Sequence, residues 1–486
     1  MYGLGPDKRP RWAILVPVAI IATAFLQSLL LLAIYYDVRL PATVSWRAAP
    51  ELHSAQALTR LPPFSSHDTD NYRWYTDAKL RQLAACTARG DCGPNADKAG
   101  IAIFASWHCH WAAYANYTGG EGVWCVGMMR SLERQGFTVL HGGDNDWRYI
   151  YHLHRQLGDM VRVIVADPGE EGHKGTFAQY QKSAAWPDGI PAWKWFRMTY
   201  YPTSESGIVG RAWMISAEPN LPRAQDVALR ASGGVSWFAT GYEALQVKSD
   251  PADFTFLGYG LAPAEYTAVV PWAQRPPRVY ILAKQAHYFH NGHQAVYEPS
   301  FFTRAADELA AEFPGFEFVG GFADSRSADQ RAAWPVPAVI RNLGLLDKHR
   351  FDEEYGHARL LLGLGSPPLS PSPYRALARA VPFANPHTVQ NGRWTYQQHE
   401  SMRDVPEPYA YQVEAFNYTS FVETIRSALR TPIEPLRFER MRRETADGRM
   451  RDWIMYDWRG LAAGILADRL AGNETQGNGA VGVFEL

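Results

Sequence analysis

The chain has 486 residues, 48 basic against 49 acidic, so no charge surplus draws it to nucleic acid and no block of like charge marks a tail. That length allows two or three domains, each with a core of its own. Aromatic residues make up 13%, with 17 Trp, which fits a well-packed globular protein with aromatic-lined clefts. Trp and Tyr also suit sugar faces, being flat and apolar with a polar rim.

In chain order, residues 1–12 carry Lys8, Arg9 and Arg11 and read as a cytoplasmic tail. Ala13 to Tyr36 holds no charge, and at about 1.5 Å per residue it reaches roughly 36 Å, enough for a bilayer core. The basic residues ahead of it keep the N-terminus in the cytosol. The apolar core is too long for a cleaved signal peptide, so 13–36 reads as the signal anchor of a single-pass type II membrane protein. Everything beyond is then lumenal. N-glycosylation triplets at Asn116, Asn417 and Asn473 agree with that address. Cys86, Cys92, Cys109 and Cys125 fall in one short stretch. In an oxidising lumen they form two bridges. Three pairings are open, with Cys86–Cys92 favoured because the Thr-Ala-Arg-Gly-Asp between them can turn. Zinc is the competing reading, and there is no CxxC to support it.

Residues 37–97 read as a proline-punctuated stem with one helical patch near Tyr72 to Ala85. From 98 to 273 strands alternate with helices: strand Gly100–Ser106, helix Val123–Gln135 closed by Gly136, strand Phe137–Leu140, helix Tyr149–Leu157 and strand Val161–Ala166. Between 170 and 270 the pattern thins into clustered Trp and Pro, with strands at Val209–Ile215 and Phe254–Gly260. Gln274 to Arg278 reads as an interdomain linker. The alternation restarts in 274–445, with strand Val279–Ala283, helix Phe302–Phe313 and strand Phe316–Val319. Residues 446–486 are left as a closing helix and tail. The fold class is therefore α/β, two Rossmann-like domains, 98–273 and 274–445, facing a cleft.

The richest stretch is Leu361 to Pro386. The apolar run Leu360-Leu361-Leu362 ends in Gly363 and Gly365, a serine-proline loop follows, then a helix from Tyr374 to Ala380 and a strand at Val381-Pro382-Phe383. A strand, glycine turn and helix start place backbone N–H groups where a nucleotide diphosphate sits. Two other patterns suggest metals. Asp144-Asn145-Asp146 has the carboxylate spacing of a metal-diphosphate site but is also ordinary turn chemistry. His108-Cys109-His110, His152/His154 and His287/His290/His293 match no closed ligand set, so no metal site is expected.

These residues resemble the catalytic domain of glycosyltransferase family 18. The likeness rests on Leu361–Pro386, Gln398-His399, Pro408-Tyr409 and Pro432-Ile433-Glu434-Pro435. It extends to Asn342–Leu346 with Arg359–Gly363, to Thr118-Gly119-Gly120-Glu121 leading to Leu132 and Gly136, and to Phe256–Tyr259. The resemblance implies a GT-B-type fold in the Golgi membrane, with 98–273 on the acceptor side and 274–445 on the donor side. It also implies inverting transfer of GlcNAc from UDP-GlcNAc, without metal or other cofactor, to a mannose 6-hydroxyl (β1,6) on the N-glycan of a glycoprotein. By the same resemblance Glu121 is the catalytic base and Lys284 faces the donor phosphates. Gly363, Gly365, Ser366 and Ser370 line the phosphate loop, and Gln398 and His399 match a family pair without an assigned role. Leu369 and Arg375 stand where the family carries glutamates. Arg375 then either meets phosphate or excludes the family's donor. That departure leaves open another nucleotide sugar or acceptor, or a lumenal glycan-binding protein that kept only the scaffold.

Overall fold

The computed structural model describes residues 72–92, 100–114, 117, 119–144, 146–167, 171–172, 175–199, 208–218, 254–261, 269–290, 295–365, 369–390, 393–403, 405–472 and 484–486, all within one unit, Glu51–Leu486. The expected anchor, Ala13 to Tyr36, lies outside the described residues, as do most of the stem, Asn116, Ser366 and Asn473. Among the described residues no helix is long and apolar enough to cross a membrane.

The first lobe comprises α1 (Tyr72–Arg89), β1 (Ile101–Phe104), α2 (Trp107–Tyr114), α3 (Gly120–Arg134), β2 (Thr138–His141), α4 (Trp147–Leu157) and β3 (Val161–Ala166). It continues with a short antiparallel pair, β4 (Glu171–Gly172) and β5 (Gly175–Thr176), then β6 (Trp195–Thr199), β7 (Met214–Ser216) and β8 (Thr255–Phe256). Six of these strands form a parallel sheet in the order β2-β1-β3-β6-β7-β8. β1 is buried at all four positions, as a parallel strand covered on both faces must be. The winding reverses beside β1, which puts a topological switch point at the carboxyl ends of β1 and β3.

The helical patch expected in the stem is α1, and it is built into this lobe. Leu80 and Leu83 join Ile103, Leu140 and Ile150 in one core cluster, and Thr76 exchanges hydrogen bonds with the His141 backbone, 2.9 and 3.0 Å. The strand β6 lies in the Trp-rich stretch, where aromatic clustering hides its alternation. The strands expected at Val209–Ile215 and Phe254–Gly260 shrink to β7 and β8, because a 3₁₀ turn at Arg211–Trp213 and the left-handed Gly258 and Gly260 interrupt them.

The second lobe comprises β9 (Arg278–Leu282), α5 (Pro299–Glu312), β10 (Glu317–Gly320), α6 (Ala328–Ala333), β11 (Ile340–Asn342), α7 (Lys348–Gly356), β12 (Leu360–Gly363), α8 (Ser372–Ala378), β13 (Phe383–Gln390), β14 (Arg393–Gln397), β15 (Ala410–Glu414) and α9 (Tyr418–Arg430). Its sheet runs β11-β10-β9-β12-β13, with β15 parallel beside the first half of β13 and β14 folded back antiparallel on its second half. This is the doubly wound order, and its switch point lies between β9 and β12.

The join between the lobes is pinned. Arg275, in the expected linker, is buried and donates to the carbonyls of Val270, Ala358, Arg379 and Ala380 at 2.6–3.3 Å. Burial first, and then the neighbouring Arg359, pulls its guanidinium down to about 10. The chain then returns to the first lobe through α10 (Arg443–Met455) and α11 (Trp458–Leu470). Phe196 meets Trp453 and Trp458 at ring distances of 5.1 and 4.8 Å, and Trp213 meets Trp458 at 5.2 Å. Burying each such ring contributes about 1.5–3 kcal/mol, so these rings hold the end of the chain in place.

Candidate active site at the lobe interface

The second lobe's switch point is formed by Lys284, just past β9, and by the turn after β12. Gly363 has no room for a side chain, because a Cβ there would stand 2.1 Å from Gln398 Oε1 and 2.8 Å from Pro386. Gly365 sits at φ +92°, in the region that favours glycine. Gln398 and His399 bracket the loop from below. Gly365 N–H donates to Gln398 Oε1 (3.0 Å), Leu369 N–H donates to the Gln398 carbonyl (3.1 Å), and His399 Nε2 lies 2.9 Å from the Ser370 carbonyl. Asn385 in turn clamps the His399 backbone, accepting from its N–H and donating to its carbonyl, each at 3.0 Å. This pair of unassigned role is a loop support, and Asn385, in the preceding strand β13, is its anchor.

The expected row of unpaired N–H groups is not what the described loop offers. Gly365 and Leu369 give theirs to Gln398, and Ser372 gives its to Ser370 Oγ at 3.1 Å. The helix that follows is only the seven residues of α8 and starts at Ser372 rather than Tyr374. Positive charge at this switch point therefore comes from the side chain of Lys284. Leu369 adopts φ +71°, a costly conformation for a residue with a Cβ, and such strain gathers at functional loops.

The first lobe reaches this loop through α3. The helix starts at Gly120 rather than Val123, which places Glu121 in its first turn. A Cβ on Gly119 would fall 2.2 Å from the Tyr117 hydroxyl, and one on Gly120 would fall 2.8 Å from Pro371 of the second lobe. The glycine pair thus allows two close approaches, and the second is the contact between lobes. Glu121 Oε2 accepts from the Tyr117 hydroxyl at 3.1 Å and lies 3.9 Å from Lys284 Nζ. The Glu121 side chain is 16% exposed and Lys284 is 43% exposed. Two buried-edge tyrosines feel this carboxylate. Burial raises the hydroxyls of Tyr288 and Tyr259, and the charge of Glu121 adds to both shifts. A disulfide between the buried Cys109 and Cys125 ties α2 to α3 one turn beyond Glu121, and Cys86 is bridged to Cys92.

Three sequence-derived candidates are placed elsewhere. Arg375 is not at the loop surface. It is buried in an ion pair with Asp352 of α7, and Arg379 reaches the same oxygen at 3.6 Å. A seven-residue helix packed on α7 turns that position inward. Burial pushes the Asp352 carboxyl up in spite of both arginines. Asn417 caps α9, accepting from Ser420 N–H at 3.1 Å while its amide donates to Glu414 at 2.9 Å, so this acceptor triplet is engaged in the fold. Asp146 caps α4 and receives Tyr72 (2.6 Å) and Arg73 (3.1 Å) from α1, which commits this half of the Asp-x-Asp pattern to packing.

Two polar groups escape the sequence reading. Glu218, just past β7, is buried between the lobes. Its Oε2 accepts from Tyr374 and Ser401 of the second lobe, each at 2.6 Å, and its Oε1 lies 3.8 Å from His399 Nε2. The only sequence signal is that Glu218 is the first acid after a short apolar run. The second group follows β1 and β3 in the first lobe. There Asp167 accepts from Ser106 Oγ (2.8 Å) and Trp107 N–H (3.2 Å), and its Oδ1 lies 3.2 Å from His108 Nδ1.

No family model matches the chain. It is similar to the human alpha-1,6-mannosylglycoprotein 6-beta-N-acetylglucosaminyltransferase B, 28% identical over 115 residues, 21% of this chain and 14% of that protein. The mouse protein of the same name is 27% identical over the same shares. The match thus takes in about a seventh of the relatives' own length. Among solved structures, it is similar to AviGT4, a glycosyltransferase involved in avilamycin A biosynthesis (TM-score 0.44, 12% identity, 75% of this chain and 98% of that one). Sucrose-phosphate synthase from Thermosynechococcus elongatus has a TM-score of 0.39 at 11% identity over 77% of this chain and 99% of its own.

Proposed function

We propose that the chain is an inverting glycosyltransferase that moves GlcNAc from UDP-GlcNAc to a mannose hydroxyl of an N-glycan. The observation that carries this reading is the meeting of Glu121 from one lobe with Lys284 from the other, 3.9 Å apart beside the loop after β12. Such a partly exposed pair is worth only about 0–1 kcal/mol, so an entering diphosphate readily takes Lys284 for itself. Glu121 is then left as base. It accepts the proton of the attacking hydroxyl while that oxygen bonds to the anomeric carbon. The bond from that carbon to the diphosphate breaks, and the electron pair leaves on the phosphate oxygen beside Lys284. Lys284 supplies the positive charge in this scheme, and no step calls on a metal. The curated relatives, glycosyltransferases by name, support the reaction class over the matched segment.

A second reading keeps the reaction and changes the donor. With Arg375 held by Asp352 and Leu369 in the loop, neither family glutamate position offers a carboxylate for ribose hydroxyls. On either reading the lobes lie in the Golgi lumen below the anchor at 13–36. The uncharged segment and the two disulfides support that placement.

The test is nucleotide release by the full chain in detergent from a panel of UDP- and GDP-sugars, with and without EDTA. UDP-GlcNAc turnover that ignores EDTA is expected. Turnover of another nucleotide sugar alone selects the second reading, and turnover of none removes the enzyme.

A further inference from the structure

One buried carboxylate has no part in the proposed transfer, and it crosses from one lobe to the other beside the donor loop. Glu218 follows β7 of the first lobe and is buried against the second. A carboxylate can only accept, and burying one is costly unless its lone pairs are used. Here Oε2 takes two hydroxyl protons, from Tyr374 and Ser401, each at 2.6 Å. These donors belong to the two segments that border the loop after β12. Tyr374 is on α8, and Ser401 is in the 3₁₀ turn that follows His399. The other oxygen, Oε1, lies 3.8 Å from His399 Nε2. A carbonyl can only accept, so the 2.9 Å contact between His399 Nε2 and the Ser370 carbonyl puts the proton of the neutral ring on Nε2. Burial holds this imidazole below its usual value, against the pull of the Glu218 charge. Ser370 leads into Pro371, which lies against Gly120, and Gly120 precedes Glu121. A run of contacts therefore joins Glu218 to the loop, and the loop to the helix that carries the proposed base.

We infer that Glu218 is a positioning residue of the proposed transfer, setting the Ser370-Pro371 end of the donor loop against Glu121 across the lobe interface. The inference rests on the transferase reading. Gln398 holds the loop from within the second lobe, through the N–H groups of Gly365 and Leu369. That does not fix where the loop stands relative to the first lobe, and Glu218 does. An apolar side chain of similar size fills the same space at a lower cost of burial, but it holds no register. A glutamine does not replace the carboxylate either. If its oxygen serves the two hydroxyls, its amide N–H groups face His399 Nε2–H, donor against donor. Turned over, it leaves both hydroxyl protons without their acceptor. Either way the displacement passes through His399 or Tyr374 to the loop.

The test uses the full chain and whichever UDP- or GDP-sugar the wild type turns over. Calorimetry with the matching nucleoside diphosphate and the melting temperature are read in parallel. Glu218→Gln lowers kcat about 30-fold while the diphosphate dissociation constant stays within about twofold, because the misplacement is between lobes. Tyr374→Phe keeps the ring, removes one donor and lowers kcat about fivefold at an unchanged dissociation constant. The double variant matches Glu218→Gln to within about twofold, since both changes act through one contact. A normal kcat in folded Glu218→Gln overturns the inference, and a lower melting temperature as its sole effect is what packing without positioning gives. Diphosphate binding about tenfold weaker in Glu218→Gln overturns it too, because Glu218 then shapes the second lobe's own pocket. If Glu218→Gln does not fold, Tyr374→Phe decides, and a normal kcat there overturns the inference. A wild type that turns over no nucleotide sugar removes the transferase reading and this role with it. A wild type that turns over donor, with both variants at full rate, removes this role alone.

Discussion

The two lobes have the same kind of sheet and arm their switch points differently. In the second lobe the described residues of the turn after β12 are satisfied from within. Gln398 takes the N–H groups of Gly365 and Leu369, Asn385 holds His399, and one projecting side chain, Lys284, brings charge. In the first lobe the strand ends carry polar side chains, Ser106, His108 and Asp167, among aromatic rings. The difference fits a division of labour. A rigid turn with one cation suits a charged group of fixed shape, and side chains with rings suit a neutral group chosen by its hydroxyls. Glu121 belongs to the first lobe and touches the second.

That contrast can be broken at Arg375. If the second lobe's loop is satisfied from within and Arg375 serves only packing, Arg375→Ala leaves Asp352 buried without its main partner and costs about 3 kcal/mol of stability. UDP affinity, measured by calorimetry on the folded variant, stays unchanged. A tenfold loss of UDP affinity with little loss of stability puts Arg375 on the phosphates and erases the distinction.

A smaller effect sharpens the comparison from the other side. The first lobe buries His141 and His154, and burial holds both imidazoles down at about 3 from an ordinary 6.5. Between those values the unfolded chain binds more protons than the folded one, so stability falls as pH drops below about 6.5. The limiting slope is about 1.4 kcal/mol per pH unit for each group. Urea unfolding at pH 7, 6 and 5 reads this slope. His141→Phe removes about one proton's worth of it, and an unchanged slope contradicts the burial account.

Much of the second lobe was legible because its signals are local. Leu360–Leu362 alternates with nothing and reads as a doubly covered strand, and of the glycines that end it Gly363 is required by the contact with Gln398 and Gly365 by its positive φ. A parallel sheet followed from strand-helix alternation, whereas its order and the strands β14 and β15 did not. The first lobe's site was less legible because its contacts are distant in sequence. Asp167 lies 59 residues from His108, and Glu218 lies 156 from Tyr374. No spacing rule joins such pairs. Gly119-Gly120-Glu121 was found through resemblance, and the space it makes for Tyr117 and Pro371 exists only in the folded chain. Among the described residues after β12, the N–H groups of Gly365 and Leu369 are taken for a related reason, since their acceptor is Gln398, some thirty positions on.

The central claim is that Glu121 and Lys284 act from opposite lobes on one transfer, one on the proton and one on the leaving charge. The direct measurement is nucleotide release and UDP binding in Glu121→Gln and Lys284→Met beside the wild type. The account predicts a release rate about 1,000-fold lower in Glu121→Gln with UDP binding intact. In Lys284→Met it predicts slower release together with weaker UDP binding. Near-normal release by Glu121→Gln contradicts it.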